Sequence, residues 1–353
     1  MMKQSSKDLI GQLARAVGPS GFEKPVGDII RKHLDGIGTL ETDRIGNIVC
    51  EIAGIDPKGQ RVLFAAHQDE IGFMVSEILD NGFIKFVAIG GWNTVTLPAS
   101  PVEILNADGD MIPGIIGQLS PHFLKKGAAP QIPELDDLFI DIGASTAQEV
   151  QQSFGIRLGA IIVPVTRFHF CEKSGCIMSK AFDDRIGVAA LIELGTLFAK
   201  DPISNTVVLA FTVQEEVGTR GAKVLANRIE ADVALVVEGA PADDVPDGPA
   251  HPQTCVGNGA HVRIFDPTHI GHPDLLRFVR STAASRGIRI QEAVRKGGGT
   301  DAMVLALADR GIPSVVTGVP VRYAHSHNCL VSFFDYRELV LLLHAVCQDM
   351  PAL

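Results

Sequence analysis

The stretch Val207–Val217 (VVLAFTVQEEV) decides how the rest of the chain is read. A nearly unbroken apolar run of strand length ends in two adjacent acids, Glu215 and Glu216. Alternation along a strand sends successive side chains to opposite faces. At the strand's end the chain turns, and both carboxylates can reach the crevice where open α/β sheets bind ligands. One could then bind a metal while its neighbour moves a proton. The same pair also fits the start of a helix, where the macrodipole favours negative charge. The stretch alone does not choose between these readings.

Working outward, helix and strand patterns alternate after Lys180. Helices are predicted over Asp184–Ala199, Gly221–Asn227, Asp274–Ser285 and Asp301–Asp309, with a last helix from Asp335. Strands are predicted over Thr206–Val213, Val233–Val237, Arg289–Ala293 and Ser314–Thr317. Such alternation implies βαβ units and a largely parallel sheet flanked by helices. Upstream, two helical patterns (Ser6–Val17, Glu23–Leu34) flank the turn Gly18-Pro19-Ser20-Gly21, and Arg61–Ala66 reads as a buried strand leading to His67-Gln68-Asp69-Glu70. Between Ile71 and Pro164 helical periodicity nearly disappears, and short β segments separated by Gly, Pro and Asp suggest a small barrel or sandwich. The expected architecture is an α/β domain, 1–70 with 165–353, interrupted by an inserted β-barrel-like domain, 71–164.

The 353 residues, 46% of them hydrophobic, suffice for a full core, and the net charge of -10 with no Lys/Arg run argues against a nucleic-acid partner. No apolar stretch is long enough to cross a bilayer, and the N-terminus lacks the continuous apolar core of a signal peptide. The six cysteines are scattered, as expected of reduced thiols rather than of a disulfide scaffold or a zinc ribbon. These features place the protein in the cytoplasm.

Five places set a His or carboxylate at the end of an apolar strand or at a helix start: His67/Asp69, Asp183/Asp184, Glu215/Glu216, Glu238 and His325/His327. Charged groups are rarely buried unless paired or metal-bound, so their recurrence at equivalent sheet ends favours one common site. Imidazole and carboxylate without thiolate suit Zn²⁺, Co²⁺ or Mn²⁺, and the number of ligands suits two ions roughly 3.5–4 Å apart. That is hydrolytic machinery.

Several segments, in order over nearly the whole chain, carry a specific resemblance. They are Ala66–Val75 (AHQDEIGFMV), Gly90-Gly91-Trp92, Gly114–Leu124 (GIIGQLSPHFL), Phe139–Val150 (FIDIGASTAQEV), Lys180–Gly187 (KAFDDRIG), Val213–Ala222 (VQEEVGTRGA), Gly297–Ala302 (GGGTDA) and Val319–Ser326 (VPVRYAHS). The chain resembles the M42 family of dinuclear metallo-aminopeptidases, which includes glutamyl aminopeptidases, TET peptidases and FrvX-type sequences. Carried over residue by residue, the resemblance makes His67, Asp183, Glu216, Glu238 and His325 metal ligands, with Asp183 bridging two divalent ions, Zn²⁺ or Co²⁺ with Mn²⁺ also compatible. It makes Glu215 the general base and Asp69 the residue that orients His67 or stands beside the site. It implies removal of N-terminal residues from short peptides, and a homo-oligomer, from dimer to dodecamer, assembled through the inserted domain.

Two positions depart from the family's pattern. Glu238 stands where many members have Asp, although FrvX-type sequences also show Glu, so Asp243 and Asp244 are set aside as ligands. His327 stands where Pro is common, either competing with His325 or lying in a solvated loop. Asp184 is expected to cap the following helix, His122 to be a packed or hydrogen-bonded histidine, Trp92 a core or interface anchor, and Thr300-Asp301 a helix start beside the substrate pocket. Hydrolysis of another amide, such as an N-acyl amino acid or a modified dipeptide, remains open on the same core, as does a non-catalytic member of the family. A glycosidase would need two carboxylates about a sugar bond and no metal.

Overall fold

The computed structural model describes residues 4–123 and 132–351, so Leu124, the last residue of one family-like segment, lies outside the described residues. The chain divides into two compact units, Met1–Glu70 with Phe168–Ala324 and Asn328–Leu353, and Ile71–Arg167 with His325–His327. In chain order the first unit begins with helices α1 (Gln4–Arg15) and α2 (Lys24–Leu34) and strands β1 (Thr39–Thr42), β2 (Ile48–Ile52) and β3 (Arg61–His67). The second unit holds β4 (Gly72–Ile78), β5 (Ile84–Ile89), β6 (Pro101–Leu105), β7 (Met111–Gly117), β8 (Phe139–Asp141), α3 (Ala147–Gln152) and β9 (Ile161–Pro164). The first unit resumes with β10 (His169–Cys171), β11 (Cys176–Ser179), α4 (Phe182–Lys200), β12 (Thr206–Thr212), α5 (Arg220–Leu225), β13 (Val233–Pro241), β14 (Ala260–Asp266) and β15 (His269–Ile270). It closes with α6 (Pro273–Arg286), β16 (Ile290–Val294), α7 (Ala302–Leu305), β17 (Ser314–Val321), β18 (Cys329–Ser332) and α8 (Phe333–Asp349).

The main sheet of the first unit runs β1-β2-β12-β3-β13-β17-β14-β15, with β16 on β14. Its centre, β12, β3, β13 and β17, is parallel, while β2 and β14 join it antiparallel. Both faces are covered, which is why these strands are apolar almost throughout. Along β3 the pleat sends Val62, Phe64 and Ala66 into the core that includes Ile186 of α4 and Leu339 of α8, and Leu63 and Ala65 into the core that includes Leu225 of α5 and Leu305 of α7. The fold is thus the expected mixed α/β sheet flanked by helices.

The second unit is a closed barrel, β4-β5-β8-β7-β6-β9, all its pairings antiparallel. Alternate residues such as Phe73, Ile104, Ile116 and Ile140 fill its interior. Trp92 stacks on Phe73 at 4.5 Å between ring centroids and donates its indole N–H to the Gly72 carbonyl, so it is a core anchor. The short helix α3 is absent from the sequence reading. Its signal is Thr146-Ala147-Gln148-Glu149, in which the threonine hydroxyl caps the Glu149 N–H.

Three further expectations are corrected. β13 does not stop at Val237 but continues to Pro241, so Glu238 lies within a strand rather than at its end. His122 is exposed on a short turn, not packed. His327 is half-buried in the second unit, near the Ser100 hydroxyl and with its carbonyl accepting from Thr166, not in a solvated loop.

Candidate metal centre

β3 ends at His67 and β12 at Thr212, and these two residues pair in register, so both strands release the chain at the same carboxyl edge of the sheet. This is the edge at which open parallel sheets present their ligand site. α4 delivers Asp183 there from its first turn, where the backbone of Asp183 and Asp184 is not helical and the peptide between them is cis. β13 passes close enough that a Cβ on Gly239 would stand 2.6 Å from the Asp183 Cα, and the missing side chain lets Glu238 approach Asp183. His67 Nε2 lies 3.3 Å from Asp183 Oδ1 and 3.8 Å from Glu238 Oε2. Ligand atoms of His67, Asp183 and Glu238 all fall within 4.8 Å of one another, and a Glu216 oxygen lies within the same distance of one on Asp183. Asp183 is therefore within reach of both Glu238 and Glu216.

Asp69, fully buried, has its Oδ1 3.4 Å from His67 Nδ1 and accepts the Glu215 N–H there, while its Oδ2 accepts the Ser20 hydroxyl and the Glu216 N–H. It thus touches the imidazole and the loop bearing both glutamates. With Nδ1 turned to Asp69, Nε2 faces the carboxylates, the arrangement by which a ligating histidine is usually aimed. Asp184 accepts the Gly187 N–H and serves as a helix cap. Asp243 pairs with Arg295 and Asp244 with Arg322, so both are engaged as ion pairs. Thr300-Asp301 starts a helix as expected, with Asp301 the N-cap residue of α7, buried and accepting the Thr212 hydroxyl at 2.5 Å. His325 belongs to the three-residue segment that groups with the second unit. There its Nδ1 is 3.2 Å from where a Cβ would stand on Gly91, and its own φ is 58°.

Burial pushes the Glu238, Glu215 and Asp184 carboxyls well above their ordinary range, with His67 the main opposing influence. Burial would depress the His67 ring, but the neighbouring Asp183 and Asp69 carboxylates carry it well above its usual value. Burial would likewise raise Asp69, yet His67 and the bonds from Ser20 and Glu215 hold it below the usual carboxylate range. Acids crowded into a desolvated pocket with one imidazole carry an excess of negative charge that a divalent cation relieves. Glu238 Oε1 is buried with no hydrogen-bond partner, as suits an atom reserved for a metal. The donors are nitrogen and oxygen without sulfur, and they fit zinc, cobalt or manganese.

Such a donor set at the carboxyl edge of a parallel α/β sheet could hold a divalent cation. Residues 46–342 match the family described as M42 glutamyl aminopeptidase. The glutamyl aminopeptidase of Lactococcus lactis subsp. cremoris is 35% identical over 345 residues, spanning 97% of this chain and 96% of the relative. Among solved structures, a TET aminopeptidase from a marine sediment Thaumarchaeota archaeon superposes with a TM-score of 0.94 at 36% identity, covering 99% of this chain and 98% of that one. The Pyrococcus horikoshii TET1 peptidase, described as assembling into a tetrahedron or a large octahedral shell, gives 0.85 at 30% identity over 98% of this chain and 100% of its own. The chain belongs to the M42 family of metal-dependent aminopeptidases.

Ser20 and Glu23 were missed by the sequence reading. Their turn signalled only chain reversal, and nothing in its spacing announced bonds to residues far along the chain.

Proposed function

We propose that this protein removes N-terminal residues from short peptides using two divalent ions, zinc or cobalt with manganese also compatible. His67, Asp183 and Glu238 would hold one ion, and Asp183, Glu216 and His325 the other. The convergence of His67, Asp183 and Glu238, with Glu216 beside the shared Asp183, carries this reading. A metal held there would supply Lewis acidity, lowering the pKa of a water toward neutrality and polarising the scissile carbonyl. Glu215 accepts the proton of the attacking water and returns it to the departing amine. Asp69 keeps the Glu215–Glu216 backbone in place through its two hydrogen bonds and faces the His67 ring at 3.4 Å.

The unit Ile71–Arg167 is assigned to self-assembly, a role supported by its exposed Ile115, Leu119 and Phe123 and by the shells described for the Pyrococcus relative. The cytoplasm is the proposed compartment. In support, the six cysteines are thiols, and no described helix is long and apolar enough to cross a membrane.

The test is E215Q, assayed on free and N-acetylated aminoacyl amides with metal content measured alongside. Turnover should fall by about 10²–10⁴-fold with metal content near wild type. An active E215Q enzyme would remove Glu215 from its role, and cleavage of acetylated substrates alone would overturn the aminopeptidase assignment.

A further inference from the structure

Each backbone N–H from Val213 to Glu216 is bound by a side chain from the first seventy residues. Val213 donates to Asn47 Oδ1 at 3.0 Å, Gln214 to Glu23 Oε1 at 3.1 Å, and Glu215 and Glu216 to the two oxygens of Asp69 at 3.0 and 3.1 Å. The loop carrying the two glutamates is therefore gripped residue by residue from outside itself. The bond at Gln214 is distinctive because that residue has φ 54°. The left-handed region costs a residue with a Cβ about 1–2 kcal/mol and persists only where surroundings impose it. Gln214 is also the pivot of the turn, since its φ sets the direction in which the chain presents Glu215 and Glu216.

Glu23 has an ordinary alternative role. Ser20-Gly21-Phe22-Glu23 has the S-x-x-E spacing of a capping box. The structure does not use it so: Ser20 donates its hydroxyl to Asp69, helix α2 begins only at Lys24, and Glu23 as its N-cap makes no side-chain capping bond. Glu23 is only 4% exposed, and its Oε1 receives the N–H of Gly21 at 2.7 Å together with that of Gln214. One oxygen thus ties the turn before α2 to the pivot of the acidic loop, 191 residues away.

We propose that Glu23 is a positioning residue for the reaction, holding Gln214 in its left-handed turn so that Glu216 points to the metal and Glu215 to the reacting water. The proposal rests on the roles given above to Glu215 and Glu216. Without an oxygen at this place the Gln214 N–H loses its buried acceptor, and the turn relaxes toward negative φ, swinging both carboxylates away. What matters is an acceptor at the right reach, not the charge itself.

Three variants separate these requirements. E23A removes the acceptor, E23D keeps the charge but falls one methylene short, and E23Q keeps an oxygen at full reach without the charge. Zinc affinity is measured by competition with a chromophoric chelator, and kcat and KM are taken per zinc-loaded chain. E23A and E23D should each bind zinc about 10–100-fold more weakly and lose a similar factor in kcat, the range seen when a partner that orients a ligand is lost. KM should change by less than about threefold, and E23Q should recover both quantities to within about threefold of wild type. A loss of stability alone would lower the yield of loaded chains but leave kcat per loaded chain unchanged. If E23A does not fold, the E23D and E23Q pair still decides. Wild-type zinc affinity and kcat in E23D, or an E23Q as impaired as E23D, overturns the proposal. E215Q in the same series keeps the two readings apart: should it stay active, the general-base assignment fails on its own, while zinc affinity in the Glu23 variants continues to judge Glu23.

Discussion

Replacing Asp69 by asparagine tests the centre with almost no change of shape. Both carboxylate oxygens are committed: Oδ1 to the Glu215 N–H with His67 Nδ1 at 3.4 Å, and Oδ2 to the Ser20 hydroxyl and the Glu216 N–H. An amide offers one acceptor and one donor. With its NH2 at the Oδ1 place it would face an imidazole N–H and a backbone N–H, neither of which can turn away. At the Oδ2 place it faces a hydroxyl, which can rotate to accept, and the Glu216 N–H, which cannot. D69N should therefore adopt the second orientation and lose one bond, that to Glu216. A hydrogen bond to a charged group is worth about 1.5–3 kcal/mol. If the whole loss falls on the placement of Glu216, metal affinity drops by about 10- to 150-fold. Chelator competition reads that directly, and circular dichroism checks that the fold survives. D69N with metal affinity and kcat within about threefold of wild type would refute this account of what holds the acidic loop.

Two more perturbations act outside the loop. In G239A the new methyl would stand 2.6 Å from Asp183 Cα and 2.8 Å from the Phe182 carbonyl, so α4 must yield. The expected result is a destabilisation of about 1–3 kcal/mol, seen in thermal melts, together with reduced metal per folded chain; a fully loaded variant would show that the close approach does not set Asp183. Asp335, in the first turn of α8, accepts the N–H groups of Gly257 and Gly259 at 2.6 and 2.7 Å, and burial pushes its carboxyl from 3.8 up to about 6. Between those values the folded state holds a proton that the unfolded chain releases, so this group's contribution is full below pH 3.8 and is lost as pH rises through about 6. D335N cannot titrate, so from pH 4 to 7 its stability relative to wild type should improve by about 2 kcal/mol, measured by urea unfolding across that range. A constant difference would mean that Asp335 is ionised throughout.

What the sequence shows depends on whether a residue's partner leaves a trace in its own neighbourhood. The parallel centre was legible because strands covered on both faces must be apolar along their length, and the barrel because closely spaced turns need Gly, Pro and Asp. His67, Asp183 and Glu216 were legible as polar groups where apolar runs stop. Glu238 was misplaced by the same logic: a single acid in VALVVEGAP looks like an end, whereas β13 runs through it, with Gly239 and His67 accommodating the carboxylate. β14 was not read because His261 and Arg263 interrupt its apolar pattern, although both are buried in the sheet. Ser20 and Glu23 show only a capping-box spacing that the structure does not use, and Glu23's real bond leaves no trace, since a side chain that accepts a backbone N–H places no demand on the identity of the donor. Gln214 contributes only its N–H to the bond with Glu23, so nothing in its side chain reveals the partner. Ligands are written in residue types, while the bonds that aim them are written largely in backbone, and only the folded chain displays those.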